Sequence, residues 1–259
     1  MSKNAQIQSI YRYPVKGLTP EQLPSVALTK GRQVPNDRRY AIENGPIGFD
    51  PADPKYFPKS HFLMLMRDER LAALRTRFDD QTHELSIQHD GSEVARGNLE
   101  TADGRAAIEA FFKSYCTKEL KGPPKVLPGG EHSFSDVAKK VISIINLASV
   151  ATLEDLVGQP VDPLRFRGNL YVTGWPAWSE FEMVGKTLLA GNARLNVTKV
   201  IGRCAAVNVD PVTAARDLNL PQMMMRSLGH MDCGIYAEVA TDGRITAGDA
   251  IAESEPALI

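Results

Sequence analysis

The apolar segments in the first third of the chain stop at strand length. They fall at 7–13, 25–28, 39–43, 62–66, 84–88 and 93–95, and Gly, Pro, Asn and Asp separate them at short intervals. Half-buried strands interrupted so regularly predict an antiparallel barrel or sandwich. The stretch 102–118, with Ala106, Ile108, Phe111, Phe112 and Tyr115 near helical spacing, predicts a helix that closes this region. The segment 121–131, KGPPKVLPGGE, reads as a linker, because its prolines and glycines interrupt both kinds of regular element.

Beyond it, 139–146 is a compact apolar strand, followed by a helix over 147–157 with Leu147, Val150, Leu153, Leu156 and Val157 on one face. Further strands are expected at 169–173, 188–189, 195–200, 235–239 and 250–251, with a helix or turn around 216–228. The expected fold class is α+β and mostly β. A barrel-like domain of residues 1–120 precedes a second β-barrel with peripheral helices over 121–259.

Composition sets outer bounds. In 259 residues, 43% are apolar and 24% charged, which is a globular mix with enough apolar surface for a full core. A net charge of −1 gives no global field toward nucleic acid or anionic lipid, so any anionic ligand must be held by locally placed Arg and Lys. The N-terminus has no apolar run of signal-peptide length, and no later run is long enough to cross a bilayer, so a cytoplasmic protein with no membrane partner is expected. Three cysteines at wide spacing, Cys116, Cys204 and Cys233, match neither a disulfide framework nor a CxxC site.

The familiar phosphate-loop, dinucleotide-turn, HExxH and GxSxG patterns are absent. The five histidines, His61, His83, His89, His132 and His230, share no metal-ligand spacing and receive no role. Three clusters stand out instead. In 200–211, VIGRCAAVNVDP, a strand ends at Gly202 and an Arg precedes Cys204. A thiol in that setting is either a low-pKa thiolate, suited to soft metals and sulfur chemistry, or a buried inert core residue, and the residues alone leave both open.

In 162–169, DPLRFRGN, Arg165 and Arg167 alternate at strand spacing and would share a face. Either an anion lies between them or each pairs with a carboxylate such as Asp162 or Glu180. In the third cluster, YPVKG at 13–17 and NDRRY at 36–40 put Lys16 and Arg38 at strand ends. Trp175 and Trp178 follow the Arg167 segment, either as core residues or as walls of a substrate funnel.

Taken in order, YPVKG, DRRY, FRGN and RCAAVNVDP resemble the MOSC superfamily, in particular the branch with an N-terminal β-barrel domain that includes the mitochondrial amidoxime-reducing component and bacterial relatives. The similarity runs over almost the whole chain. It departs at Gly17, where the family pattern has Ser, at Gly168, where it has Pro, and at 205–208.

The resemblance implies a molybdenum cofactor (molybdopterin), with Cys204 as the metal ligand and catalytic residue. It implies that Lys16, Arg38, Arg167 and Asn169 line the cofactor site. The implied activity is reduction of small N-hydroxylated or related N–O or S–O substrates. No flavin, haem or iron–sulfur motif is evident, so electrons would come from a separate donor protein. The alternative is a sulfur carrier or cofactor-delivery protein in which Cys204 accepts a persulfide; a third is a module that binds the pterin without chemistry.

Overall fold

In a computed structural model, residues 5–116, 118 and 120–254 are described. Along the chain the elements are β1 (Gln6–Arg12), β2 (Glu21–Leu23), β3 (Ser25–Leu28), β4 (Tyr40–Asn44), β5 (Arg75–Phe78), β6 (Glu84–His89), β7 (Ser92–Asn98), α1 (Ala102–Tyr115), β8 (Pro124–Pro128), β9 (Ile142–Asn146), α2 (Leu147–Val157), β10 (Leu170–Thr173), β11 (Thr187–Ala190), β12 (Ala193–Gly202), α3 (Leu220–Leu228), β13 (Asp232–Val239), β14 (Gly243–Thr246) and β15 (Ile251–Ser254). The protein is mostly β, as expected, with short 3-10 turns between elements.

Eight strands form one curled sheet in the order β15-β11-β12-β13-β9-β10-β1-β2. Its middle strand β9 is buried along its whole length, which is why ISIIN reads as an unbroken apolar run rather than an alternating one. β9 runs parallel to β10, with α2 as the crossover between them. Asn146 caps α2 by accepting from the Ala148 N–H, and Gly158, at φ 70°, ends it in the left-handed conformation that glycine adopts without a Cβ clash.

The core of this sheet takes in Ile7, Ile10, Val26 and Leu28 from the first thirty residues together with Ile144, Val172, Leu195 and Ile235. A second core lies under β4 to β7 and α1, where Tyr40, Ile42, Leu71, Leu85, Ile87, Ile108 and Phe112 pack together. Thr101 caps α1 by accepting from the Gly104 N–H. No helix among the described residues is long and apolar enough to cross a membrane.

Two expectations are corrected. The segment 121–131 contains β8, which pairs antiparallel with β4 from Tyr40↔Pro128 to Asn44↔Pro124. Its prolines stand at the two ends of a strand that has β4 as its one neighbour, so their missing N–H groups break no interior ladder. The stretch 62–66 is not a strand; it touches β4 through the single bridge Glu43↔Phe62 and then turns, which lets Leu63, Met64 and Leu65 all be buried.

Candidate functional site

The residues singled out in the sequence line one cleft of about 310 Å³: Lys16, Arg38, Arg167, Asn169 and Cys204. Around the same space stand Arg203, read in the sequence as the charge beside Cys204, and Asp37, Lys59, Asp136, Lys199 and Tyr236, to which the sequence reading gave no role.

Lys16 reaches the cleft because β1 ends at Arg12, before Tyr13-Pro14, and the chain then runs beside β4, with the Lys16 N–H donating to the Tyr40 carbonyl at 2.8 Å. Its ammonium is buried, donates to the Phe134 carbonyl at 2.8 Å and forms an ion pair with Asp136. Burial lowers the pKa of this lysine and Asp136 opposes that. At Asp136 burial pushes the carboxyl up, but Lys16 and Lys59 outweigh it and bring the pKa down to about 2.

Arg38 and Arg167 both adopt left-handed backbone, at φ 52° and 51°, and both project toward Tyr13. Their guanidinium carbons stand 4.7 and 4.3 Å from the centroid of its ring. Arg38 also donates to the Arg167 carbonyl at 3.0 Å and to Asp37, 2.5 Å away. Burial works against the Arg38 charge, yet Asp37 raises its pKa overall. Asp37 is itself fixed, accepting from the Tyr13 N–H at 2.8 Å.

Arg167 donates to the Leu18 carbonyl at 2.8 Å and has no carboxylate within ion-pair distance among the described residues, and burial lowers its pKa. Such a cation, desolvated and uncompensated, is costly unless an anion joins it.

The strand expected at 162–169 is instead a 3-10 turn, Pro163–Phe166, with Arg167 as its left-handed cap. This separates the two arginines. Arg165 is buried and paired with Asp210 and Asp217, 2.8 Å from each, so it serves the fold, while Arg167 faces the cleft with its charge unmatched. Asn169 is buried and its amide is engaged: Oδ1 accepts from the Ser143 N–H at 3.0 Å and from its hydroxyl at 2.8 Å, and Nδ2 donates to the Tyr11 carbonyl at 3.1 Å. It joins β9, β10 and β1 at the floor of the cleft.

Cys204 follows β12 in an irregular bend and is partly exposed. The neighbouring Arg203 turns away, donating to the Cys233 carbonyl at 2.7 Å and the Phe166 carbonyl at 2.8 Å. The lysine coupled electrostatically to Cys204 is Lys59, which lines the same cleft and whose ammonium lies 3.9 Å from Asp136. Burial disfavours the Lys59 charge, but Cys204 and Asp136 together raise its pKa.

The other two cysteines are buried, and burial pushes the Cys233 thiol up to about 12. Trp175 belongs to the core; Trp178 packs on Phe181 and His230, so neither indole lines the cleft.

These features define a class: a mostly-β protein with one accessible thiol at the edge of a cation-rich cleft. Residues 4–118 match the family of MOSC N-terminal beta barrel domains and residues 129–252 the family of MOSC domains. The chain belongs to the MOSC proteins that carry this N-terminal barrel.

It is 24% identical over 247 residues to the molybdenum cofactor sulfurase of Caenorhabditis elegans, an alignment covering 91% of this chain and 33% of that protein; the chain thus spans about a third of that relative's length. Among solved structures it is similar to the YuaD protein of Bacillus subtilis, with a TM-score of 0.44, 14% identity and coverage of 95% and 93% of the two chains. It is also similar to YiiM of Geobacillus stearothermophilus, with a TM-score of 0.35, 21% identity and coverage of 44% and 54%.

Proposed function

We infer that the cleft holds a molybdenum pterin cofactor and that the protein reduces N-hydroxylated or related N–O or S–O compounds with electrons from a separate donor protein. The observation that carries this reading is the pairing of one accessible thiol with cations that lack partners. Besides Arg165, which is paired with Asp210 and Asp217, six basic residues line the cleft against the two carboxylates Asp37 and Asp136.

The donor set fits the cofactor. No group of three or more His, Cys, Asp or Glu among the described residues is placed to hold a metal ion, whereas a metal already carried on a pterin needs one protein sulfur and a site for the phosphate. Cys204 supplies the sulfur. Arg167 and Arg38, stacked on Tyr13, suit a phosphate dianion through planar, charge-assisted donors. Lys16 is held by Asp136 at the same wall, and Asn169 positions the strand end that carries Arg167.

When bound, the cofactor supplies oxygen-atom transfer by cycling the metal between oxidation states. In the net reaction an N-hydroxy compound takes up two electrons and two protons, its N–O bond breaks, and the reduced nitrogen compound and water leave. The test is molybdenum and pterin analysis of wild type and Cys204→Ala, purified from a host that makes the cofactor. Stoichiometric metal in the wild type that is lost in the variant is expected, with turnover of hydroxylamines or N-oxides by a reduced viologen. Neither metal nor pterin in the wild type overturns the reading.

A second reading draws on the name of the nematode relative: Cys204 accepts sulfane sulfur for the cofactor. It predicts cyanide-releasable sulfur on purified protein that disappears in Cys204→Ala, without viologen-driven turnover.

A further inference from the structure

The cations of the cleft divide into two groups by burial. Lys16, matched by Asp136, Arg38, matched by Asp37, and Arg167, which has no carboxylate but stands over Tyr13, are buried at its inner wall. Lys59 and Lys199 are different. Lys59 lies on the short 3-10 turn Lys59–His61, with its side chain one-third exposed, and its nearest carboxylate, Asp136, is already engaged by Lys16. Lys199 is on β12, exposed, with no carboxylate in ion-pair reach among the described residues and its ammonium 5.7 Å from the centre of the Tyr236 ring.

Both lysines line the cleft with Tyr236 and Cys204. Cofactor phosphate needs the buried pair around Tyr13. It does not account for two further, partly exposed cations in the cleft that Cys204 also lines.

Resting on the cofactor reading above, we propose that Lys59 and Lys199 form an anion-selecting rim over Cys204, so that the substrates of this cleft are N–O or S–O compounds bearing a carboxylate or a similar negative group. A cation pair at the mouth of a low-dielectric cleft concentrates anions there and repels cations, an effect that salt screens. Lys59 sets the charge next to the reacting centre; Lys199, with the Tyr236 ring as its platform, sets it at the entrance.

The test reads this potential without the cofactor. The full chain, purified from a host that makes no pterin, is alkylated at Cys204 by anionic iodoacetate and by neutral iodoacetamide. Both reagents attack the same thiolate, so the ratio of their rates is independent of its ionised fraction. Expected is a ratio about tenfold above that of a neutral small-molecule thiol at low salt, falling toward it at high salt. Lys59→Met and Lys199→Met should each lower the ratio about threefold to fivefold, and Lys59→Arg should restore it.

Continued protection of Cys116 and Cys233 from both reagents shows that the variants are folded. A ratio equal to that of the small thiol, or one unmoved by either methionine variant, overturns the rim. In loaded protein the same variants should raise KM for a carboxylated arylhydroxylamine several-fold more than KM for its neutral analogue. Equal effects on the two also overturn it. Absence of molybdenum would defeat the cofactor reading alone, since the alkylation ratio still decides the rim.

Discussion

The guanidinium of Arg167 stands 4.3 Å from the centre of the Tyr13 ring and that of Arg38 4.7 Å from it, so one buried aromatic ring supports two cations. The ring offsets part of their mutual repulsion, which Asp37 relieves by direct pairing at Arg38 alone. A desolvated cation–π contact is worth about 1–2 kcal/mol. Tyr13→Leu is therefore expected to lower the pterin content of purified protein several-fold, while Tyr13→Phe, which keeps the ring, retains it. Pterin quantified per folded chain checks both; equal loss in the two variants would assign the effect to the hydroxyl instead.

Arg165 and Arg167 should respond oppositely to the same substitution. Arg165→Met strips a buried cation from Asp210 and Asp217 and removes its donation to the Asn208 carbonyl, and is expected to cost about 3 kcal/mol of unfolding free energy. Protein that still folds should bind pterin normally. Arg167→Met removes a cation that has no carboxylate, so stability should change by less than about 1 kcal/mol while pterin is lost. Denaturant melts paired with pterin analysis separate the two outcomes.

This contrast also marks how far the sequence could be read. YPVKG, DRRY, FRGN and RCAAVNVDP pointed to the residues that converge through their order, which resembles the MOSC pattern; taken singly, Lys16 and Arg38 read as charges at strand ends and Cys204 as either reactive or inert. What the sequence could not supply was which charges are already spent. By spacing alone Arg165 looked equivalent to Arg167, and the resemblance singled out only Arg167; a 3-10 turn in place of the expected strand puts Arg165 on Asp210 and Asp217.

Lys59 and Asp136 carry no local signal at all; they meet Cys204 and Lys16 only across sequence gaps that the fold closes. Arg203 misled in the opposite sense, since adjacency to Cys204 in the chain did not make it the neighbouring cation. Most strands were legible from apolar runs and turns. β8 was not, because its prolines read as breakers although they stand at its ends.

Acid should weaken the site at one carboxylate in a defined window. The Asp136 pKa is held at about 2, below its ordinary value, so its ion pair stabilises the fold above the unfolded carboxylate pKa and is lost as pH falls through about 2. Because the Asp136 side chain is nearly half exposed, solvent screening leaves on the order of 1 kcal/mol of that contribution. The difference in unfolding free energy between wild type and Asp136→Asn should stay constant from neutral pH to about pH 5 and shrink between about pH 4 and pH 2. A difference that persists at the lowest pH would mean that the carboxylate charge is not what Lys16 requires.

The two glycines that interrupt the family-like motifs are held by packing, and their replacement tests this directly. Gly17 has φ +86°, and a Cβ there would lie 2.8 Å from the Leu63 carbonyl oxygen, so Gly17→Ser, the side chain of the family pattern, combines backbone strain with a clash and should cost about 1–3 kcal/mol. At Gly168 the obstacle is a side chain: a Cβ would stand 2.4 Å from Ile145 Cγ1, in the buried centre of β9.

Gly168→Ala should therefore destabilise by about 1–3 kcal/mol through overpacking, and Ile145→Ala by about 2–5 kcal/mol through the cavity it leaves. If the clash is the cause, the added methyl occupies part of that cavity, and the double variant should be less destabilised than the sum of the singles by at least about 1 kcal/mol. Strict additivity in a denaturant double-mutant cycle would place the constraint in the backbone at Gly168. Proline at this position faces a further cost, because the Gly168 N–H donates to the Tyr171 hydroxyl at 3.0 Å, a bond that proline cannot make.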